Sequence, residues 1–256
     1  MGDDVLSIFK SKAMVIKTID LKENDKIVYL FSEKLGKISA VAKGAKKGKS
    51  KIMPLTLPFC FGEYVVFKGR NLYTINEGEI ISSFQSLLND LNSLTYASYF
   101  CELIDIALVE EESNRELFKI LVSAFYLMEN KAVDFELLAR AFEVKLLLFS
   151  GFRFNLDNCS ICKKRMNSSN FISLEYLGGV CMDCNRSRGM NISYAGYNAL
   201  KYLIDAPIEN IYRLSLNKET KEELYKLLTY VISNNFSRKP NSLDVFNYIK
   251  GVEDNE

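Results

Sequence analysis

Four cysteines, Cys159, Cys162, Cys181 and Cys184, carry the clearest chemistry in the chain: two C-x2-C pairs separated by eighteen residues. Each C-x2-C turn can aim two sulfurs at one point, and the intervening stretch is long enough to fold back. The spacing therefore predicts one tetrahedral four-thiolate zinc site. Four thiolates leave zinc no open position for water or substrate, so the expected Zn2+ is structural and not catalytic. Two unrelated cysteine pairs, or a redox C-x-x-C motif, are the competing readings, and neither pair follows a recognisable redox strand. Cys60 and Cys101 sit in apolar stretches and read as small core residues.

The second group of residues is basic. Between Lys34 and Gly62 there are seven lysines and no Asp or Glu, although the formal net charge of the 256-residue chain is only +1. The dense part is Lys43-Gly44-Ala45-Lys46-Lys47-Gly48-Lys49-Ser50-Lys51. Lysines at this density repel one another, and the glycines keep the backbone adaptable. Such a segment suits tracking a phosphate backbone, with affinity drawn from released counterions. The bland alternative is a solvated loop whose lysines only aid solubility.

Absences narrow the chemistry further. The chain has no histidine, which removes Ser-His-Asp and Cys-His nucleophile arrangements. No G-x-x-x-x-G-K-[ST] loop and no G-x-G-x-x-G after a strand support nucleotide-driven chemistry. A zinc deaminase needs a Glu beside an open metal position, which neither cysteine pair offers. No carboxylate pair stands out by its spacing, and the chain reads as a non-enzyme.

The elements that must position these residues change type near residue 80. Lys12 to Ile19, Lys26 to Phe31, Lys37 to Ala42, Tyr64 to Lys68 and Leu72 to Ile75 are short β-branched or aromatic runs between charged or glycine-bearing turns. Five such strands fit a small Greek-key barrel of the OB type, and an SH3-like barrel gives a similar pattern. Tyr29, Phe31, Tyr64, Phe67 and Tyr73 lie in these strands, and alternation puts about half of them outside, where bases can stack. After Ile81 apolar residues recur at three and four, predicting helices through Leu94 to Leu108 and Leu117 to Leu127. A third, Asp134 to Ser150, is apolar on nearly every face and reads as the buried centre of a helical domain. Gly151 ends it, and the cysteine loop follows. Further helices are expected at Ser193 to Asp205 and Lys218 to Asn234, with a weak one near Ser242 to Ile249. The fold class expected is α+β: an N-terminal OB-type β-barrel over residues 1–80, then an α-helical domain over 81–256 with the four-cysteine zinc finger, 159–184, inserted. The acidic N-terminus MGDDVLSIFK and the lack of a long apolar run predict a protein of the reducing cytosol with no membrane partner.

These residues together resemble the bacterial recombination mediator family RecO. The resemblance rests on the stretch KAMVIKTIDLKENDKIVYLFSEKLGKISAVAKGAKKGKS, with its acidic-polar turn ending in Asp25, its basic loop and the following Pro58-Phe59. It continues in Phe142 to Phe152 (FEVKLLLFSGF), which leads into C-x2-C, G-G-V-C and C-x2-C as in zinc-bearing members. That family usually has arginine where this chain has Lys46 and Lys47, which keeps the charge and loses the planar fork. Some members lack the cysteines, in keeping with a structural metal. The resemblance implies single- and double-stranded DNA binding, annealing of complementary strands, contact with the C-terminal tail of single-stranded DNA-binding protein, and cooperation with RecR in loading RecA. It also implies a cytoplasmic, nucleoid-associated protein. The residues expected to contact DNA are Lys37, Lys43, Lys46, Lys47, Lys49 and Lys51, with Arg70 a weaker candidate and Arg186 and Arg188 a possible extension. Two other readings stay open: an RNA-binding or ribosome-associated module, and a zinc-stabilised protein-interaction scaffold.

Overall fold

In the computed structural model, residues 7–236, 238 and 240 are described. Five strands form a closed barrel: β1 (Ile8–Asp20), β2 (Lys26–Ser32), β3 (Gly36–Ala42), β4 (Phe61–Lys68) and β5 (Tyr73–Ser82), in the order β1-β2-β3-β5-β4. β1 is long enough to serve two neighbours, pairing with β4 through Ile8 to Met14 and with β2 through Ala13 to Asp20. A register shift between Val15 and Lys17 lets it bend from one to the other. β3 meets β5 in parallel, at Ala40 with Tyr73 and Val41 with Thr74. Placing β5 between β3 and β4 is the Greek-key crossover of an OB-like barrel.

Alternation fills the barrel with Val15, Val28, Leu30, Ile38, Val66 and Ile75, and with the small residues Ala13, Ala40 and Ala42. β5 runs seven residues past the expected Ile75. Its Asn76-Glu77-Gly78-Glu79 stretch lacks any strand signature, and antiparallel pairing with β4 supplies the hydrogen bonds that side chains do not predict.

Helices α1 (Leu91–Ala107) and α2 (Arg115–Glu129) follow. Asp90 caps α1 by accepting from the Ser93 amide. An aromatic seam fastens α2 to the barrel and its flanking loops: Phe118 stacks edge-on against Phe31 at 5.5 Å, and Phe125 packs on Phe59 and Phe84 at 5.4 and 5.3 Å. The residues between the helices cover the start of β3, which β5 does not reach. Glu110 bridges to Lys37, the Glu111 amide donates to the Lys37 carbonyl, and any side chain at Gly36 (φ +71°) would collide with the Glu112 carbonyl.

A second compact unit, Tyr126–Lys239, contains α3 (Phe135–Phe149), α4 (Tyr194–Asp205) and α5 (Lys218–Asn235). Each of the three has a side-chain N-cap, from Asp134, Ser193 and Asn217. α3 is buried without interruption from Leu137 to Leu147, as its all-round apolar pattern requires. That stretch also buries three charges. Arg140 and Glu143 form a fully enclosed pair at 2.7 Å with the guanidinium over the Tyr225 ring, and Lys145 donates to the Ile204 carbonyl at 2.7 Å. Between α3 and α4 lie the cysteine loop and three short strands, β6 (Phe171–Ser173), β7 (Gly178–Gly179) and β8 (Gly189–Asn191), in the order β7-β6-β8. No helix among the described residues is long and apolar enough to cross a membrane. The expected helix near Ser242 to Ile249 lies outside the described residues.

Candidate metal centre and nucleic-acid interface

The cysteine loop folds back as its spacing requires. All four Sγ atoms lie within 4.8 Å of one another, with Cys162 and Cys181 3.7 Å apart. That separation is far beyond a disulfide and matches the edge of a tetrahedron with metal–sulfur bonds of about 2.3 Å. The first knuckle is shaped by the backbone: the Lys163 amide donates to the Cys159 carbonyl, the Cys159 amide to Lys164, and Lys163 itself turns through φ +63°. The Cys181 amide points at Cys159 Sγ, 3.4 Å away, and so joins the two knuckles.

Electrostatics favour a cation among these sulfurs. Burial opposes ionisation of Cys159, but the amides of Cys181, Cys162 and Ile161 outweigh it and bring the thiol down to about 6. Hydrogen bonds with Cys181 and Cys162, and the charge of Cys159, push Cys184 up to about 12. Cys159 ionises readily and Cys184 resists, because adjacent thiolates repel. A divalent cation removes that conflict and would deprotonate all four.

The finger is bolted to α4. The Tyr197 hydroxyl, fully buried, donates to the Leu156 carbonyl at 2.6 Å, and Lys201 pairs with Asp157. A Cβ on Gly179 would lie 2.6 Å from the Tyr197 hydroxyl, so the Gly178-Gly179 strand is what lets the tyrosine in. Cys60 and Cys101 are buried in the other unit and belong to no cluster of three or more metal-binding groups among the described residues, and burial raises both thiols.

The lysine loop leaves β3 at Ala42 and is held at three points. Ala45 is fully buried in the barrel core, the Gly44 amide donates to the Asp25 carboxylate at 2.8 Å, and the Lys46 amide donates to the Asn24 carbonyl at 3.0 Å. Gly44 adopts φ +66°, the left-handed turn this anchoring needs. With the backbone fixed, Lys43, Lys46, Lys47, Lys49 and Lys51 are all exposed. Lys46 reaches Asp20 at 2.8 Å in an exposed pair that water screens.

The structure separates Lys37 from this group. Its side chain is only 11% exposed, and its ammonium is enclosed by the Asp105 carbonyl at 2.6 Å and carboxylate at 3.3 Å, tying β3 to α1. Arg70 is exposed in the β4–β5 turn. Arg186 and Arg188 lie on the finger, with Arg186 donating to the Cys181 and Val180 carbonyls.

Of the five barrel aromatics, Phe31, Tyr64 and Tyr73 are buried, while Tyr29 and Phe67 face outward and are half-buried. Tyr29 sits in a cross-strand row, Lys17–Tyr29–Ser39, with the Lys17 ammonium 5.3 Å from its ring centre. The next row on the same face is Ile19–Ile27–Val41. A partly apolar face spanning β1, β2 and β3 thus runs up to the start of the lysine loop, with Lys17 at its β1 end and the Glu110 carboxylate accepting from Ser39 at 3.1 Å at its β3 end. Lys17 was not singled out in the sequence, and the turn ending in Asp25 was noted without its anchoring role, although alternation along β1 and β2 places Lys17 beside Tyr29 once the register is known.

The comparisons with known proteins agree along the whole chain. Residues 6–84 match the family described as Recombination protein O N terminal, and residues 88–244 match Recombination protein O C terminal. Over all 256 residues, and all of each relative, the chain is 56% identical to a protein of Clostridium novyi (strain NT) and 55% identical to one of Clostridium kluyveri, both named DNA repair protein RecO. A protein of the same name from Alkaliphilus metalliredigens is 32% identical over 241 residues, covering 93% of this chain and 98% of its own. With both halves matched and the identity continuous from end to end, the chain belongs to the recombination protein O family.

Proposed function

We propose that this protein is a non-catalytic mediator of recombinational DNA repair that binds single- and double-stranded DNA through its barrel. The observation that carries this reading is the anchored five-lysine loop beside the Lys17–Tyr29–Ser39 row. Its ammonium groups neutralise phosphates, and the outer face of β2 and β3 offers Tyr29 for stacking, as OB-type barrels use that face. Neutralising two strands at once lowers their mutual repulsion, which is the physical requirement for annealing complements. Family membership supports the finer roles: contact with the C-terminal tail of single-stranded DNA-binding protein, and work with RecR to load RecA on covered strands. These roles belong in the bacterial cytoplasm, at the nucleoid. Lys43, Lys46, Lys47, Lys49, Lys51 and Lys17 form the proposed DNA surface, with Arg70 at its margin, and the enclosed Lys37 serves the fold. The metal at the four cysteines is Zn2+, held as a structural staple by a closed sulfur set.

The discriminating experiment is competition between DNA and RNA single strands of matched sequence, followed by an annealing assay with complementary DNA. Preferential DNA binding with accelerated annealing supports the mediator reading. Preference for RNA would favour a ribosome-associated module, and binding of neither would leave a protein scaffold.

A further inference from the structure

The finger carries a second basic surface that the barrel reading does not use. A cavity of about 410 Å3 opens beside the second knuckle, lined by Lys164, Arg165 and Arg186 with Asn167 and Asn170, and no carboxylate lines it. Arg186 is held ready: its Nε and one Nη donate to the Cys181 and Val180 carbonyls, and its guanidinium lies 5.8 Å over the Phe171 ring. Those weak bonds, at 3.4 and 3.5 Å, leave its other N–H groups to serve an incoming acceptor. Lys164 meets Asp183 only at 3.9 Å, with both side chains largely in water. Exposed Met182, between the last two cysteines, adds an apolar lip.

We propose that this cavity holds the phosphodiester backbone of a second nucleic-acid strand while the barrel holds the first. The inference rests on the nucleic-acid reading of the barrel and extends it. Three cations and two side-chain amides around one concavity match a run of phosphates better than a peptide without acidic groups, which would leave the cations without anionic partners. Because Arg186 is oriented by the carbonyl of a metal-ligating cysteine, strand binding here depends on the finger being metallated.

The test compares four proteins by anisotropy of a labelled single-stranded oligonucleotide at several salt concentrations, with zinc content measured on each. They are the wild type, Lys164→Gln with Arg165→Gln, Lys46→Ala with Lys47→Ala and Lys49→Ala, and the five changes combined. The finger variant is expected to keep its zinc and to lose about 1.4 from the slope of log affinity against log salt, at about 0.7 per phosphate contact. The combined variant is expected to lose the binding that the loop variant retains. A finger variant that titrates like the wild type, with a combined variant that matches the loop variant, overturns the proposal. So does zinc loss with unchanged DNA affinity, which would mean the cations only balance the charge of the thiolate cluster. Displacement by pyrophosphate at low concentration would assign the cavity to small phosphates instead. A loop variant that binds normally beside a finger variant that does not would overturn the barrel reading and leave the finger site standing. A wild type that binds no strand would overturn both.

Discussion

Lys37 and Lys46 come from the same acid-free stretch, yet one is enclosed by Asp105 and the other stands in solvent. A substitution should tell them apart. Changing Lys37 to Met is expected to lower stability by about 1–3 kcal/mol, because it strips a charged hydrogen-bond partner from a half-buried carboxylate and carbonyl. It should leave the salt slope of DNA binding unchanged. Urea denaturation read beside the binding titration checks both halves, and a changed slope with normal stability would contradict the assignment. Tyr197 offers a second test at this scale. Burial, aided by the negative charges of Asp157 and Cys159, pushes its hydroxyl up to about 12. A tyrosine held neutral in the folded state contributes stability that is full below the ordinary pKa near 10 and declines as pH rises toward 12. Tyr197→Phe should lose about 1–3 kcal/mol at neutral pH with its bond to the Leu156 carbonyl, and should flatten the decline between pH 10 and 12. Equal steepness in both proteins would place the alkaline transition elsewhere.

Helix α3 and the finger set the predictions at the scale of elements. The Arg140–Glu143 pair is wholly enclosed, and the Arg140 Nε and one Nη have no hydrogen-bond partner among the described residues. Removing one partner, as in Glu143→Ala, leaves an unpaired buried charge and is expected to cost about 3–5 kcal/mol. Replacing both, Arg140→Met with Glu143→Leu, should cost much less, and a double variant as unstable as the single would show that the pair itself holds α3. In the finger, a strong chelator at neutral pH should strip any bound metal and loosen the backbone at the exposed Lys163, Lys164 and Arg165 enough for trypsin to cut there, since metal binding supplies most of the folding free energy of so small a loop. Resistance of those bonds after metal removal would show that Tyr197 and the Gly178-Gly179 strand suffice. Much of this was legible in the sequence: the two cysteine pairs foretold the cluster, and the three-and-four spacing placed α1 to α5 within a few residues. The strands of the finger were not legible, because segments of two or three residues have no periodicity. Nor was the end of β5, whose Glu77, Gly78 and Glu79 pair by backbone alone.

At the scale of the whole molecule, a net charge of +1 conceals strong local basicity. The lysine loop was readable by composition, and its partner face was not, because Lys17, Tyr29 and Ser39 become neighbours only through the registers of β1, β2 and β3. The enclosure of Lys37 was not legible for the same reason: its tie to Asp105 spans 68 positions. The most direct test of the account is the salt dependence of single-stranded DNA binding by the wild type and by the variant with Lys46, Lys47 and Lys49 changed to Ala. The account predicts a steep slope for the wild type and one shallower by about 2 in the variant, with affinity falling alongside it. Equal affinity and equal slope in the two proteins would contradict it, and would reduce the anchored loop to a solubility device.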